Sequence, residues 1–163
     1  MESTIHVLAL FPGQGSLSPG AGRAWRNDDA WHLVDEASAL SGVDVAHLLL
    51  SAEDDELVRT DNAQIATFVL SLMSYQSFCR TRSTPESFVG HSLGEYSALT
   101  AAGMLSFADG VRLVAARGAA MLKASQLQPG AMAALMGGHG DISKVTARDR
   151  KSTRLNSSHI PLS

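Results

Sequence analysis

The chain has 163 residues, 45% of them hydrophobic and 18% charged, with a formal net charge of −3. That is enough apolar material for one domain with a real core, and a weakly acidic balance without charge runs argues against a nucleic-acid-binding surface. Cys79 is the single cysteine, which excludes a disulfide framework and a cysteine-based metal site and points to a reduced, cytoplasmic setting. The N-terminus lacks a basic start and the apolar run over 7–11 is too short, so no signal peptide is expected. No segment is long enough to span a bilayer, and no membrane partner is expected.

Residues 5–11 form an apolar run with β-branched members, which predicts a buried strand. It ends in Phe11-Pro12-Gly13-Gln14-Gly15, either a simple turn or a loop whose backbone can approach a ligand closely. Residues 27–40 read as an amphipathic helix capped by Asp28 or Asp29, with Trp31, Val34, Ala37 and Leu40 on one side and Gly42 at its end. A short helix is predicted over 45–50, and acidic residues 53–56 read as a solvated helix start. Residues 62–78 carry Ile65, Phe68, Val69, Leu72, Met73 and Tyr75-Gln76 at helical spacing, a pattern that fits core packing rather than a cofactor box. Gln64, near the start of that helix, either faces a cleft or is a surface amide. Cys79 reads as a buried or half-buried bystander, and 80–86 as a polar linker.

The chain is organised around Gly90-His91-Ser92-Leu93-Gly94-Glu95. Apolar Phe88-Val89 enters this stretch and a helix-forming segment over 96–102 leaves it. Gly-x-Ser-x-Gly between strand and helix is the nucleophile-elbow pattern, although such short runs also occur in ordinary loops. The turn is too sharp for a Cβ on either side of the serine, and it lifts the Ser92 hydroxyl into a cleft. Backbone N–H groups at the following helix start favour developing negative charge at the same spot.

Gly103 ends that helix, and Ser106-Phe107-Ala108-Asp109 reads as a capping box opening the next. The apolar stripe of this helix is Val111, Leu113, Val114, Met121 and Leu122, and Arg117 falls on it. An arginine there must meet an anion or snorkel to solvent. Its planar fork of donors fits a carboxylate. Arg112 is placed for solvent, with Asp109 as a partner. Gln128-Pro129-Gly130 breaks the helix, residues 131–136 read as a strand, 137–140 as a turn, and Asp141 as the cap of a further helix. Beyond Ala147 the composition turns basic and serine-rich, and 149–159 agree without a break with the translation of a common sequencing-adapter read. Residues 148–163 are therefore set apart as a non-native, disordered tail, and the chain reads as truncated near Ala147.

The set Phe11-Pro12-Gly13-Gln14-Gly15, Gly90-His91-Ser92-Leu93-Gly94-Glu95-Tyr96-Ser97-Ala98, Arg117-Gly118 and Gly130-Ala131-Met132-Ala133-Ala134 resembles malonyl-CoA:acyl carrier protein transacylases. The resemblance implies an α/β fold: an α/β-hydrolase-like parallel sheet over 1–129, with an inserted ferredoxin-like subdomain starting at 130–147. It implies Ser92 as nucleophile, the Gln14 and Leu93 backbone N–H groups as oxyanion hole, and Arg117 as holder of the malonyl carboxylate. Gln64 would line the site, and His91 would support it from beside the nucleophile with its side chain turned away from the hydroxyl. No metal or bound cofactor is implied. The substrate would be a CoA thioester, malonyl-CoA, and the acceptor the phosphopantetheine thiol of acyl carrier protein, in fatty acid biosynthesis.

The family's general base is a histidine far downstream of the elbow, and none of His6, His32, His47, His91, His139 and His159 lies in that motif. The chain as written is therefore expected to be inactive and poorly folded. An acyltransferase domain of a polyketide synthase and a malonate-decarboxylase subunit are the related alternatives. A serine esterase sharing the elbow alone and a non-catalytic module that docks carrier protein are the more distant ones.

Overall fold

The computed structural model describes residues 6–128. The strand expected over 131–136, the turn and cap after it, the start of the insert and the tail lie outside the described residues. The chain divides into two compact units, Met1–Leu122 and Lys123–Ser163. Of the second, the described residues are 123–128, where the last helix runs out.

The first strand, β1, is Leu8–Phe11, three residues shorter than the apolar run suggested. Asp28 then accepts a hydrogen bond from Ala30 N and starts a tight turn, Asp29–Trp31, that passes into α1, His32–Ser41. The expected single helix over 27–40 is thus a 3₁₀ turn followed by an α-helix. The Asp28 carboxylate is also held by Ser77 and Arg80 of a later helix, which fixes the chain at the point where it tightens. Leu33, Val34 and Ala37 are the buried residues of α1, while Trp31 and Leu40 are half-buried. Gly42 ends α1 at φ 72°, a left-handed conformation that suits glycine.

Helix α2 is Val45–Leu50, capped by the Asp44 carboxylate on His47 N, and α3 is Asp54–Leu57. Helix α4, Thr60–Thr81, runs through the start of the expected polar linker. Ala63, Gln64, Ile65, Ala66, Thr67, Phe68 and Val69 are all buried in it. Seven consecutive buried residues mean that this part of α4 is covered all round rather than on one stripe. It packs on α1, α2 and the later helix Gly94–Ala101. Phe68, Ile65, Val69 and Met73 fill the core with Leu48, Leu49, Val111 and Val114.

Helix α4 is the crossover to β2, Ser87–Gly90, which pairs with β1 in parallel, Leu10 opposite Val89 and Phe11 opposite Gly90. One sheet face turns Phe11 and Phe88 onto Tyr75 of α4, with ring centroids 6.0 and 5.9 Å apart. The other face presents Leu8, Leu10 and Val89, 52%, 70% and 50% exposed, because side chains alternate along a strand. Helix α5, Gly94–Ala101, follows the elbow, and Gly103 after it takes φ 74°.

The last helix, α6, is Phe107–Leu127. Its Ser106 cap accepts from Asp109 N and donates to the Asp109 carboxylate, while Arg112 pairs with the same carboxylate at 3.0 Å. Gly110, Val111, Val114 and Gly118 form its buried seam. Leu113 is a correction to the expected stripe: at 49% exposure it lies off that seam, two residues past Val111 and so about 200° round the helix. The described residues thus form an α/β arrangement of helices on a small parallel sheet. No helix among them is long and apolar enough to cross a membrane.

Candidate active site

The end of β2 and the start of α5 meet at a bend that only glycine allows on either side of Ser92. A Cβ on Gly90 would stand 2.0 Å from the Gly94 carbonyl oxygen, and one on Gly94 would stand 2.2 Å from that of Phe11. Neither clash is relieved by a rotamer change, since the obstructing atoms are backbone. Ser92 itself has φ 55°, the one positive φ outside glycine among the described residues. Such a conformation costs on the order of 1–3 kcal/mol and persists only where its surroundings over-determine it. Here they do: His91 N donates to Phe11 O, and Gly94 N and Glu95 N donate to His91 O and Ser92 O. Leu93, the next residue, is fully buried.

Two helices bring polar groups to the raised hydroxyl. Arg117 of α6 donates from Nη2 to Ser92 Oγ at 3.0 Å. Its Nη1 donates to Gln64 Oε1 on α4. The guanidinium carbon lies 5.9 Å from the centre of the Tyr96 ring, within cation–π range. Gln64 Nε2 donates to Thr60 Oγ1 at 3.1 Å and to Met121 Sδ at 3.2 Å. Thr60 Oγ1 donates in turn to the side-chain Oε1 of Gln14, at 2.9 Å. Gly118 lets α6 approach closely enough for this network: a Cβ there would lie 2.9 Å from Asp61 Cα.

The structure thus joins Gln14, Gln64, Ser92 and Arg117 through side chains, with Leu93 adjacent. The surface-amide reading of Gln64 is corrected: its side chain is wholly buried. Among the described residues, the backbone N–H groups of Gln14 and Leu93 make no backbone hydrogen bond outside the regular elements. The ring of His91 lies over the Gly13 backbone, Nδ1 being 2.8 Å from where a Gly13 Cβ would stand. A groove of about 450 Å³ runs along β1, lined by Leu17, Leu70, Tyr75 and Phe78 among others, and it contains none of the expected site residues.

A strained serine facing an arginine at the elbow invites comparison with known proteins. The model of the family described as acyl transferase domain matches residues 9–156. The chain belongs to that family.

This acyl transferase domain is 44% identical over 133 residues to a malonyl CoA-acyl carrier protein transacylase of Bacillus subtilis, covering 80% of this chain and 33% of that protein. It is similar to the structure of MCAT from Mycobacterium tuberculosis at TM-score 0.76 and 33% identity, covering 90% of this chain and 49% of that one. It is similar also to the malonyl-transacylase of a type II PKS solved in complex with its acyl-carrier protein, at TM-score 0.68 and 32% identity over 74% of this chain and 40% of that one. The chain therefore spans between a third and a half of the length of these relatives.

The acyl transferase motifs did not single out Thr60 and Met121 as parts of the site, and Tyr96 stood in the elbow motif without a role. Helical spacing held a signal for each. Thr60 precedes Gln64 by one turn, Tyr96 follows Ser92 by four residues, and Met121 follows Arg117 by one turn. That signal becomes legible only once the partner residue is known to face the site.

Proposed function

We propose that this acyl transferase domain transfers a malonyl group from malonyl-CoA to the phosphopantetheine thiol of acyl carrier protein, through an ester on Ser92. The observation that carries the reading is the 3.0 Å hydrogen bond from Arg117 to the Ser92 hydroxyl. A guanidinium that touches the nucleophile is within reach of an acid only a few bonds from the carbonyl under attack. A short diacid such as malonyl fits that requirement. An uncharged acyl group would leave Arg117 with a vacated donor in a half-buried position.

In the proposed reaction Ser92 Oγ attacks the thioester carbon and gives up its proton to a base. The carbonyl electron pair moves onto oxygen, where the Gln14 and Leu93 N–H groups receive it, each such donor being worth about 3–4 kcal/mol. The carbon–sulfur bond then breaks, and CoA leaves as the thiol with the proton returned. The carrier thiol repeats the displacement on the Ser92 ester and restores the hydroxyl, which gives ping-pong kinetics. His91 supports the turn rather than taking the proton. The base is proposed to be a histidine downstream of the elbow.

We place the reaction in fatty acid biosynthesis, on a hydrolase-like parallel sheet with a ferredoxin-like insert. The likeness to the type II PKS transacylase supports polyketide synthesis as the second reading. The test is the mass of the whole protein after incubation with malonyl-CoA. The reading expects an adduct on the Ser92 peptide that passes to holo-acyl carrier protein and is missing from Ser92→Ala. Free malonate without transfer would make the protein an esterase. No adduct at all would leave a docking module.

A further inference from the structure

Thr60 stands at the first position of α4, half-buried, and its hydroxyl has a single proton to give. That proton goes to Gln14 Oε1 at 2.9 Å. The lone pairs of Oγ1 are then what it offers Gln64, and they take the amide nitrogen, Nε2, at 3.1 Å. The amide turns its carbonyl oxygen to Arg117 at its other end. Reversed, the amide would set N–H against the N–H of a guanidinium, donor against donor, in a wholly buried side chain. The sulfur of Met121 also accepts from Nε2, at 3.2 Å, but a thioether is a weak acceptor. The two Arg117 bonds have one possible sense, because a guanidinium only donates, and that sense turns the Gln64 nitrogen toward the Thr60 lone pairs.

We propose that Thr60 is a positioning residue for both halves of the site. It accepts from the Gln64 amide and so steadies the side chain that holds Arg117 at Ser92, and it ties the loop that carries Gln14 to the same helix end. The loop follows β1 and the arginine sits on α6, so the first turn of α4 registers one against the other. The catalytic side of this proposal rests on the roles given above to Ser92, Arg117 and Gln14.

The test compares Thr60→Val, which keeps the shape and removes both hydrogen bonds, with Thr60→Ser, which keeps them. In the whole protein, the ratio of kcat/KM for malonyl-CoA to that for acetyl-CoA is expected to fall about 10- to 100-fold in Thr60→Val and to stay within about 3-fold in Thr60→Ser. A merely structural role would lower both substrates together and leave that ratio unchanged. Side-chain nitrogen NMR of Arg117 provides the second arm. The two terminal nitrogens are expected as separate signals in the unchanged protein and in Thr60→Ser, and as one averaged signal in Thr60→Val. An unchanged ratio in folded Thr60→Val, a serine variant that behaves like the valine one, or averaged signals in the unchanged protein would each overturn the proposal. If the unchanged protein forms no malonyl-serine, the functional reading falls instead, and the NMR arm alone decides whether Thr60 positions Arg117.

Discussion

Arg117 reaches across from α6 to the hydroxyl of Ser92 at 3.0 Å, although 25 residues of chain separate them. The contact places a donor fork built for carboxylates beside the one non-glycine residue with positive φ among those described.

Replacing that arginine should change which acyl group is accepted. Arg117→Ala is expected to lose about 2–4 kcal/mol of transition-state stabilisation toward malonyl-CoA, roughly 30- to 1000-fold in kcat/KM. Acetyl-CoA turnover should fall far less or rise. Steady-state kinetics with both thioesters in the whole protein check this, and an equal loss for both would remove Arg117 from acid recognition.

Gln64 contributes a neutral carbonyl oxygen to Arg117, so the guanidinium charge stays uncompensated there. Gln64→Glu, nearly the same shape, would supply a buried carboxylate and satisfy that charge internally. Malonyl-CoA should then be a poorer substrate through a raised KM, by about tenfold or more. Equal KM values in the two proteins would show that substrate acid does not compete for Arg117.

The elbow glycine leaves no room for compromise. In Gly94→Ala the new methyl would meet the Phe11 carbonyl at 2.2 Å. A loss of about 3 kcal/mol or more is expected, since the elbow and the end of β1 must separate. Urea unfolding followed by circular dichroism measures it, and a midpoint within error of the unchanged chain would show that the bend can relax.

Acid stability should depend on Asp28. The hydrogen bond from Arg80, joined by that from Ala30 N, holds its carboxyl below the usual carboxylate range. A depressed folded-state pKa adds stability in full above the unfolded value, about 3.9, and that stability is lost as pH falls through the folded one. Asp28→Asn, which keeps a good cap, is therefore expected to be less stable at neutral pH, its stability curve converging with that of the unchanged chain in acid. Parallel curves across pH 2–7 would exclude the pair as the source.

The outer sheet face carries Leu8, Leu10 and Val89 at half exposure or more. A contiguous apolar face of this kind promotes association in water. The 163-residue chain is expected to self-associate at micromolar concentration and Leu10→Glu to reduce it, as sedimentation velocity would register. Equal sedimentation of the two would exclude this face.

Local chemistry made much of this protein legible in its sequence. The limits of α2, the left-handed stop at Gly42 and the Ser106–Asp109 cap each depend on residues within one turn of one another, so their causes are written side by side in the chain. Sequence also marked Ser92, Gln14, Gln64 and Arg117 by residue type and motif. Tertiary structure decided how they connect. Thr60 entered the site because α4 and the loop after β1 meet there, and Gln64 was buried because other elements cover α4 on every side. The sense of a hydrogen bond between residues dozens of positions apart depends on where packing sets each donor, and no local pattern encodes that.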